Sequence, residues 1–575
     1  MHRRYCIPFI ILAQALPSLA EIVTYTWDVT WVNASPDGFA RPIIGINGRW
    51  PCPLIEANIG DTIVVHMTNL LGNETSGIHF HGINQIDSPE MDGASGVVQC
   101  PCPPNNTVTY SFLADEPGTF WWHSHNLGQY PDGLRGPIVI HDPNDPYIDE
   151  CDQDILITVS DWYHSQTPQL VSAMIIPNNT QFTPPRPDSI IVNEGGDGHI
   201  PVEAGKTYRF RVINFSALTS TFLKIKSHDM SVIMTDASYV KKQATSVLRI
   251  SPAERYDFLV TIDKERESNI PFLFALDSNP DYTAGNASFH FNFTGQLVVD
   301  PEGDLTQTVP VDEFDPLDET KLESYDGRES YGPVTKQWVL DFDFCLDNNG
   351  YPRSCFNSTT YIPQRVPTLY SAVSLGPNNV NAAAYGQVNP FIVEYGDVVE
   401  IVVNNHDIAI HPFHLHGHKF QVMERPASNT GNWSGTTDES NSSPPRKDTI
   451  SIRPQSYAVL RIVANNPGVW LFHCHIEWHV EMGLTATLIE APDRLADFEI
   501  PPDHLDLCRA MGIPTVGNAA GNTAWDDNTG FLTLPPTDYI GAVWPAPGPI
   551  SGSGVNTEKH IVSNGYRRTH LLVLQ

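Results

Sequence analysis

Residues 467–475 read PGVWLFHCH, and residues 117–125 read PGTFWWHSH. Each stretch begins at a Pro-Gly turn, continues through large apolar residues and ends in two histidines separated by one residue. A turn followed by β-branched and aromatic residues predicts a β-strand. Residues i and i+2 of a strand point to the same side, so each stretch presents two imidazoles in one direction. The recurrence indicates an internal repeat.

The repeat extends upstream of both stretches. Residues 60–65 (GDTIVV) recur as 396–401 (GDVVEI), and a further histidine pair follows each of these predicted strands. The first of these upstream pairs is His79 and His81, and the second is His414 and His416. Four pairs of the same spacing therefore lie on two copies of one domain.

A fainter third copy lies between the other two. Residues 205–212 (GKTYRFRV) resemble the same opening strand, but His228 stands alone where a pair is expected. Short strands with frequent turn signals predict all-β sandwiches or barrels in tandem. The predicted segments are a signal peptide at 1–20, copies at 21–145, 146–300 and 332–500, a linker at 301–331 and a C-terminal extension at 501–575, expected to be loosely structured.

Composition narrows the possible partners. The 575 residues include 66 Asp+Glu against 33 Lys+Arg, a formal net charge of −33. This sign disfavours a nucleic-acid partner and adhesion to anionic membranes. After the first twenty residues, no apolar stretch approaches the roughly 20 residues that a membrane-spanning helix needs. We therefore expect no membrane span.

The N-terminus predicts export. Arg3 and Arg4 precede an apolar stretch, and small residues before Ala20 complete a signal-peptide pattern, with a signal anchor as the alternative. We expect a secreted monomer, extracellular or in the cell wall. Ten glycosylation sequons agree with export. They start at Asn33, Asn73, Asn105, Asn178, Asn214, Asn286, Asn292, Asn357, Asn432 and Asn441.

Cys474 indicates which metal the histidines bind. It lies between His473 and His475, with His479 five residues later and His411 upstream. One thiolate and two imidazoles with a weak or absent axial ligand form a blue-copper site. A structural zinc site needs only four ligands in a closed shell, which leaves the other histidines without a role. Chance clustering of core or surface histidines is the remaining alternative.

These motifs together resemble the fungal multicopper oxidases, the laccase and iron-oxidase superfamily of three cupredoxin domains. The resemblance implies three cupredoxin-like Greek-key domains, dioxygen as electron acceptor and four copper ions, of which one is type 1, one type 2 and two type 3. It implies the following ligands: His411, Cys474 and His479 for type 1; His79 and His414 for type 2; His81, His123 and His475 for one type 3 copper; and His125, His416 and His473 for the other. Ser124 occupies the position of Cys474 in the first copy, so only the third copy can hold type 1 copper.

The resemblance also implies roles for residues that are not ligands. Leu484 stands at the axial position of type 1 copper and cannot ligate, as in higher-potential members. Asp92 resembles the acid beside type 2 copper and Glu477 the acid beside the type 3 pair, where both would deliver protons. A solvated turn and a strand face are the alternatives for these two acids. His418 is expected to hydrogen-bond behind the ligands.

The reductant is the least determined feature. Asp407, four residues before His411, matches an acid that iron oxidases place beside a type 1 histidine; proton uptake from a phenol or a plain loop position are alternatives. A second acid of those enzymes aligns with Pro184, and Asp277 or Asp281 are candidates for a third. We expect electrons to enter near an exposed His479 or His411.

Because the second acid and a C-terminal membrane helix are missing, the sequence favours a laccase-like oxidase of phenolic or other aromatic donors. A ferroxidase oxidising Fe(II) is the second hypothesis, and a non-catalytic copper-binding cell-wall protein is the third. The resemblance also implies a Cys100–Cys508 disulfide. Cys345 with Cys355 and Cys52 with Cys102 are further candidate pairs, which leaves Cys151 over.

Overall fold

A computed structural model describes residues 20–277, 291–312 and 314–533 together with strands at 560–563 and 570–573. Residues 1–19 of the expected signal peptide, Asp281 and the sequon at Asn286 lie outside the described residues. The all-β prediction is confirmed, since strands dominate and the α-helices of the described part are short. These helices are α1 (Thr167–Met174), α2 (Thr368–Ser374), α3 (Glu477–Glu481) and α4 (Pro502–Met511). No helix in the described ranges is long and apolar enough to cross a membrane.

The first copy is a sandwich of two four-stranded sheets. Its strands are β1 (Ile22–Ala34), β2 (Arg41–Ile46), β3 (Ile55–Asn58), β4 (Thr62–Asn69), β5 (Ile78–His81), β6 (Thr107–Leu113), β7 (Gly118–Ser124) and β8 (Arg135–His141). The sheet orders are β2-β1-β4-β6 and β3-β8-β7-β5. In β4, buried and half-buried residues alternate, so one face packs on the core. Every residue of β7 is buried.

The second copy has the same two-sheet plan. Its strands are β9 (Gln153–Trp162), β10 (Ser189–Val192), β11 (His199–Pro201), β12 (Thr207–Asn214), β13 (Thr221–Ile225), β14 (Met230–Thr235), β15 (Ser238–Thr245), β16 (Leu248–Ile250), β17 (Arg255–Thr261), β18 (Ile270–Leu276) and β19 (Asn292–Val298). One sheet contains β15-β14-β17-β12-β9, and the other is β11-β19-β18-β13-β16.

The third copy repeats the plan again. Its strands are β20 (Lys336–Leu346), β21 (Pro352–Phe356), β22 (Pro390–Val393), β23 (Val398–Asn405), β24 (His411–Leu415), β25 (Phe420–Glu424), β26 (Arg446–Lys447), β27 (Thr449–Ile452), β28 (Ser456–Val463), β29 (Gly468–Cys474) and β30 (Thr485–Glu490). The sheet orders are β21-β20-β23-β28-β25-β26 and β22-β30-β29-β24-β27. After it, β31 (His560–Ser563) and β32 (His570–Val573) extend the second copy's sheet beside β9.

Strand pairing shows that the copies share one topology. The first strand of each copy runs parallel to the opening strand of the repeat: β1 with β4, β9 with β12 and β20 with β23. A second parallel pair also recurs, as β3 with β8, β11 with β19 and β22 with β30. The middle copy has therefore kept the fold although it lacks the histidine pairs.

The cysteines follow the expectations in part. Cys100–Cys508 and Cys345–Cys355 are disulfides, and Cys151 is free. The Cys52–Cys102 pairing is wrong, because each thiol is buried against a different carbonyl: Cys52 Sγ lies 3.4 Å from Gly133 O and Cys102 Sγ 3.3 Å from Asn106 O. The expectation of a loose C-terminal extension is wrong for its first part, because α4 lies there and carries Cys508.

Candidate copper centre

The four histidine pairs converge where the first and third copies meet. Pairing of β5 with β7 sets His79 opposite His123, and pairing of β24 with β29 sets His414 opposite His473. The two strand pairs face each other closely. The ring centroids of His81 and His414 are 3.7 Å apart, and the rings are stacked. Alternation along the strands therefore brings imidazoles from both copies into one buried cluster.

The rings form groups of metal-binding size, in each of which the candidate ligand atoms lie within 4.8 Å of one another. Four of the groups are His79, His81 and His414; His81, His123 and His475; His125, His416 and His473; and His411, Cys474 and His479, and a fifth combines His79 and His416 with Asp92. The second and third coincide with the two expected type 3 sets, and the fourth with the expected type 1 set. Their role as ligands remains a prediction.

Each of several rings makes a hydrogen bond through the nitrogen that points away from the cluster, and this bond fixes which nitrogen faces the cluster. In four of them Nδ1–H donates to a backbone carbonyl, so Nε2 is left as the ligand atom. These bonds are His79 to Asp92, His123 to Ser124, His414 to Asp448 and His473 to Cys474, all 2.8–2.9 Å long.

Several ring nitrogens that face the cluster have no partner in the described structure. Buried nitrogens without a hydrogen bond are Nε2 of His79, His123 and His414, Nδ1 of His81 and both ring nitrogens of His475. Burying such groups unpaired is costly, and burial also lowers the pKa of His123 and His475 well below the ordinary value, which keeps the rings neutral. Neutral imidazoles with free lone pairs suit copper, so the residues present fit this cofactor.

Asp92 lies against the cluster as expected. Its Oδ2 accepts a 2.8 Å hydrogen bond from Nδ1 of His416, and its Oδ1 lies 3.2 Å from Nδ1 of His79. Burial alone would raise the pKa of Asp92, but the two imidazoles outweigh it and hold the pKa well below its usual range. Asp92 is therefore an ionised group that orients two of the candidate ligands.

Glu477 is the second acid that the resemblance implies beside the copper centre. It is the first residue of α3, and its backbone N–H donates to the carbonyl of Ala217 in the second copy at 2.9 Å. Burial first, and then the neighbouring Glu477 and Asp161, raise the pKa of Tyr130, whose ring lies 5.1 Å from that of His123. Burial and the nearby Glu481 raise the pKa of Glu477 well above its ordinary value. Asp92 and Glu477 thus differ in protonation, as acid–base pairs at reaction centres do.

Cys474 and two histidines form a separate buried group at the end of β29. Its Sγ lies 3.8 Å from Nδ1 of His411 and 3.6 Å from Nδ1 of His479. Burial raises the pKa of the Cys474 thiol well above its ordinary value, so a bound cation is what would hold it as a thiolate. Leu484 is fully buried, and its carbonyl accepts the backbone N–H of Cys474.

The expectation that His411 and His479 are exposed is wrong. Their relative exposures are 0% and 3%. The ring of Phe344 lies 5.3 Å from that of His479, and Phe182, from the second copy, stacks on Phe344 at 5.0 Å. Aromatic side chains from two copies therefore separate the imidazoles from solvent.

Asp407 is the polar group that connects this site to the surface. Its Oδ2 accepts a 2.8 Å hydrogen bond from Nε2 of His411, and its side chain is 19% exposed. Burial would raise the pKa of Asp407, but this hydrogen bond and the imidazole charge lower it to about 2. An anionic carboxylate therefore lies one hydrogen bond from a candidate ligand.

The other residues considered for the reductant site do not join it. Pro184 is partly buried and offers no ligand atom. Asp277 forms a 2.7 Å ion pair with Arg249. His418 lies outside the metal-binding groups and pairs with Glu490 at 2.9 Å, in agreement with its expected supporting role.

Sequence reasoning missed Asp448. This residue immediately precedes β27, and its Oδ1 lies 3.1 Å from Nε2 of His81. Arg255 of the second copy binds both of its carboxylate oxygens. Neither residue belongs to a local motif, and the contact joins positions far apart in the chain, so no sequence signal marks it.

Comparison with known proteins agrees with this geometry. Three family models described as multicopper oxidase match residues 28–145, 153–292 and 361–494. The chain belongs to the multicopper oxidase family, whose members use copper as cofactor and dioxygen as electron acceptor.

Several individual relatives of the chain are multicopper oxidases of iron transport. The chain is 43% identical to the iron transport multicopper oxidase fetC of Epichloe festucae, over 89% of this chain and 84% of that one. It is 40% identical to the iron transport multicopper oxidase FET3 of Gibberella zeae, over 91% and 86%. The crystal structure of Fet3p, titled a multicopper oxidase that functions in iron import, matches with a TM-score of 0.85 and 34% identity over 89% and 99%.

The expectation of a laccase-like phenol oxidase is wrong. The relatives that cover most of the chain at high identity are iron transport oxidases, whereas the laccase of Botrytis aclada matches with a TM-score of 0.73 and 25% identity over 86% and 93%.

Proposed function

We propose that this protein is a ferroxidase. Four ferrous ions, one dioxygen molecule and four protons would give four ferric ions and two water molecules. The observation that carries the proposal is the Asp407–His411 hydrogen bond. A hard oxygen ligand at the surface suits a ferrous ion and favours the ferric product, while the imidazoles behind it are covered. The names of the iron transport relatives support the same donor.

A residue described above can serve each step after iron binding. An electron would pass from iron at Asp407 through His411 to the Cys474 site, and then along the backbone to the adjoining His473 and His475. The histidine groups and the Cys474 site would hold the four copper ions of the family, one type 1, one type 2 and two type 3, which when bound would supply electron storage and the reduction of dioxygen. Glu477, which keeps its proton, would supply one to the cluster, and Asp92 would hold His416 and His79 in place.

Export belongs to the proposal as well. We infer that the protein is secreted and N-glycosylated, which the signal-peptide pattern and the sequons support, and that it is a monomer. Secretion of the full-length chain, followed by mass measurement before and after glycosidase treatment, tests this part.

Steady-state kinetics on the copper-loaded protein test the proposed donor. The kcat/KM for Fe(II) should exceed that for hydroquinone, and Asp407→Asn should lower the Fe(II) value by about 10- to 100-fold. Asp343→Asn is the matched control, since it removes one exposed negative charge from the same copy without touching a type 1 histidine. A preference for hydroquinone, or equal Fe(II) kinetics in both variants, would overturn the proposal.

A further inference from the structure

The second copy contributes one charged group to the copper centre. Arg255, at the start of β17, is fully buried, and so is its partner Asp448 of the third copy. The guanidinium donates to both carboxylate oxygens, at 2.7 Å to Oδ1 and 2.5 Å to Oδ2. Its Nε–H donates to the carbonyl of Thr119 in the first copy, at 3.1 Å. One side chain therefore joins all three copies.

Asp448 in turn contacts two cluster histidines. Its Oδ1 accepts the Nε2–H of His81, and its backbone carbonyl accepts the Nδ1–H of His414. The first contact makes His81 the exception among the rings of the shared cluster that have an assigned bond, because its Nδ1 is the unpartnered nitrogen left for the metal. Nε2 of His81 also lies 3.2 Å from Thr449 Oγ1, and that hydroxyl donates to Asp448 Oδ1, so the carboxylate is the acceptor that both groups share. Asp448 therefore leads the contacts that leave Nδ1 as the ligand atom of His81.

Asp448 would not keep its position against His81 without Arg255. A buried carboxylate without a counter-charge is strongly unfavourable, and a two-point contact from a planar guanidinium also fixes its rotation. Gly82, next to His81, has no side chain, and this leaves room for the Arg255–Asp448 ion pair. A Cβ there would lie 2.5 Å from Arg255 Nη2 and 2.8 Å from Asp448 Oδ2.

We propose that Arg255 is a positioning residue of the trinuclear cluster. It holds Asp448, and Asp448 holds the ring of His81 with Nδ1 directed at the cluster. The copy without histidine pairs thereby controls the ligand geometry of the type 3 site. This assignment does not depend on which reductant the enzyme uses.

The alternative is an ion pair that only fastens the copies together, and Arg41 provides the matched control. Arg41 is buried, forms a 2.6 Å pair with Asp132 and packs over Trp162 of the second copy. Asp132 also accepts the backbone N–H of Thr167 in the second copy. Arg41→Gln therefore weakens a junction between copies without touching a cluster histidine.

The experiment compares Arg255→Gln, Arg255→Lys and Arg41→Gln by copper content, blue absorbance and electron paramagnetic resonance. Arg255→Gln should keep the blue type 1 band, because that site is separate. It should lose copper from the cluster, or show a new resonance from type 3 coppers that are no longer coupled. Arg41→Gln should lower the melting temperature with wild-type copper content and spectra.

Arg255→Lys keeps the charge but loses the two-point contact, so it should give the same spectroscopic change to a smaller degree. Wild-type copper content and resonance in Arg255→Gln, with only a lower melting temperature as in Arg41→Gln, would overturn the proposal. If Arg255→Gln does not fold, Arg255→Lys and Asp448→Asn decide in the same way. Unchanged copper and resonance in both of these variants would overturn it too.

Discussion

Ser124 and Cys474 occupy equivalent places in the first and third copies, and their surroundings differ. Ser124 lies opposite Ile78 on β5, and its hydroxyl donates to Gln129 Oε1 at 2.9 Å. Cys474 lies opposite Phe413 on β24, and its sulfur faces His411 and His479. The strand delivers a side chain to the same point in both copies. Only Cys474 belongs to a candidate metal site, because its neighbours supply two imidazole donors.

The comparison shows that the two copies contribute unequally. Both supply histidine pairs to the shared cluster, but only the third also supplies the sulfur site and the surface carboxylate Asp407. The first copy supplies Asp92, which binds the backs of rings from both copies. In the proposed mechanism, electron entry therefore belongs to the third copy, whereas dioxygen reduction belongs to the seam between the first and third copies.

We expect the largest effect on copper binding and activity from substitutions at positions 474 and 124. Cys474→Ser removes the only thiolate between the two type 1 histidines. We expect loss of the blue band, one bound copper ion fewer and Fe(II) oxidation at the background rate. Absorption spectra, copper analysis and oxygen uptake measure this. Ser124→Cys is the control and should keep activity and gain no second blue site, because Ile78 and Gln129 surround it; a blue band in Cys474→Ser would contradict the assignment.

Removing the acid of the first copy separates the two halves of the reaction. Asp92→Ala leaves Nδ1 of His416 without its partner, so turnover should fall by about 10- to 100-fold. Without oxygen, Fe(II) should still bleach the blue band at the wild-type rate, and slow return of the colour on adding oxygen would locate the defect. Stopped-flow spectroscopy measures both phases. Slow bleaching of the blue band by Fe(II), with a normal return of the colour on adding oxygen, would refute this division of roles between the two copies.

A disulfide joins the first copy to the C-terminal helix α4, and removing it should lower the stability of the protein. Cys508→Ser opens a disulfide between residues 408 positions apart, and we expect the free energy of unfolding to fall by about 2–5 kcal/mol. Opening Cys345–Cys355, whose residues are 10 apart, should cost less because the closed loop is shorter. Denaturant unfolding compares the two variants, and an equal loss would contradict the loop-length argument.

The smallest expected effect concerns Glu90, in the turn of the first copy that carries Asp92. Burial raises the pKa of Glu90 from 4.5 to about 7, and its Oε2 has no partner in the described structure. The folded chain holds this proton more tightly than the unfolded chain, so stability is lost as pH rises from about 4.5 to about 7. Glu90→Gln should stabilise the protein by about 1–3 kcal/mol near pH 8 and not near pH 4. Melting curves at both pH values measure this, and a pH-independent gain would contradict it.

The sequence predicted what depends on local periodicity. The histidine pairs follow from alternation on a strand, and the repeat implied that equivalent pairs meet. Asp407, four residues before His411, was found through the resemblance to iron oxidases, which place an acid beside a type 1 histidine. The covered imidazoles and the Arg255–Asp448 pair could not be predicted, because both depend on contacts between copies. Phe182 belongs to a loop of the second copy and carries no pattern that marks it as a neighbour of Phe344.

The position of the histidine cluster at a seam also has a consequence for biosynthesis. His79 and His123 leave the ribosome long before His473 and His475, and the early rings have no opposing face until the third copy has folded against them. We therefore expect copper to load into the proposed dioxygen-reducing centre only after the third copy has been synthesised and has folded against the first. A nascent chain that has not reached the third copy lacks the opposing half of the histidine cluster.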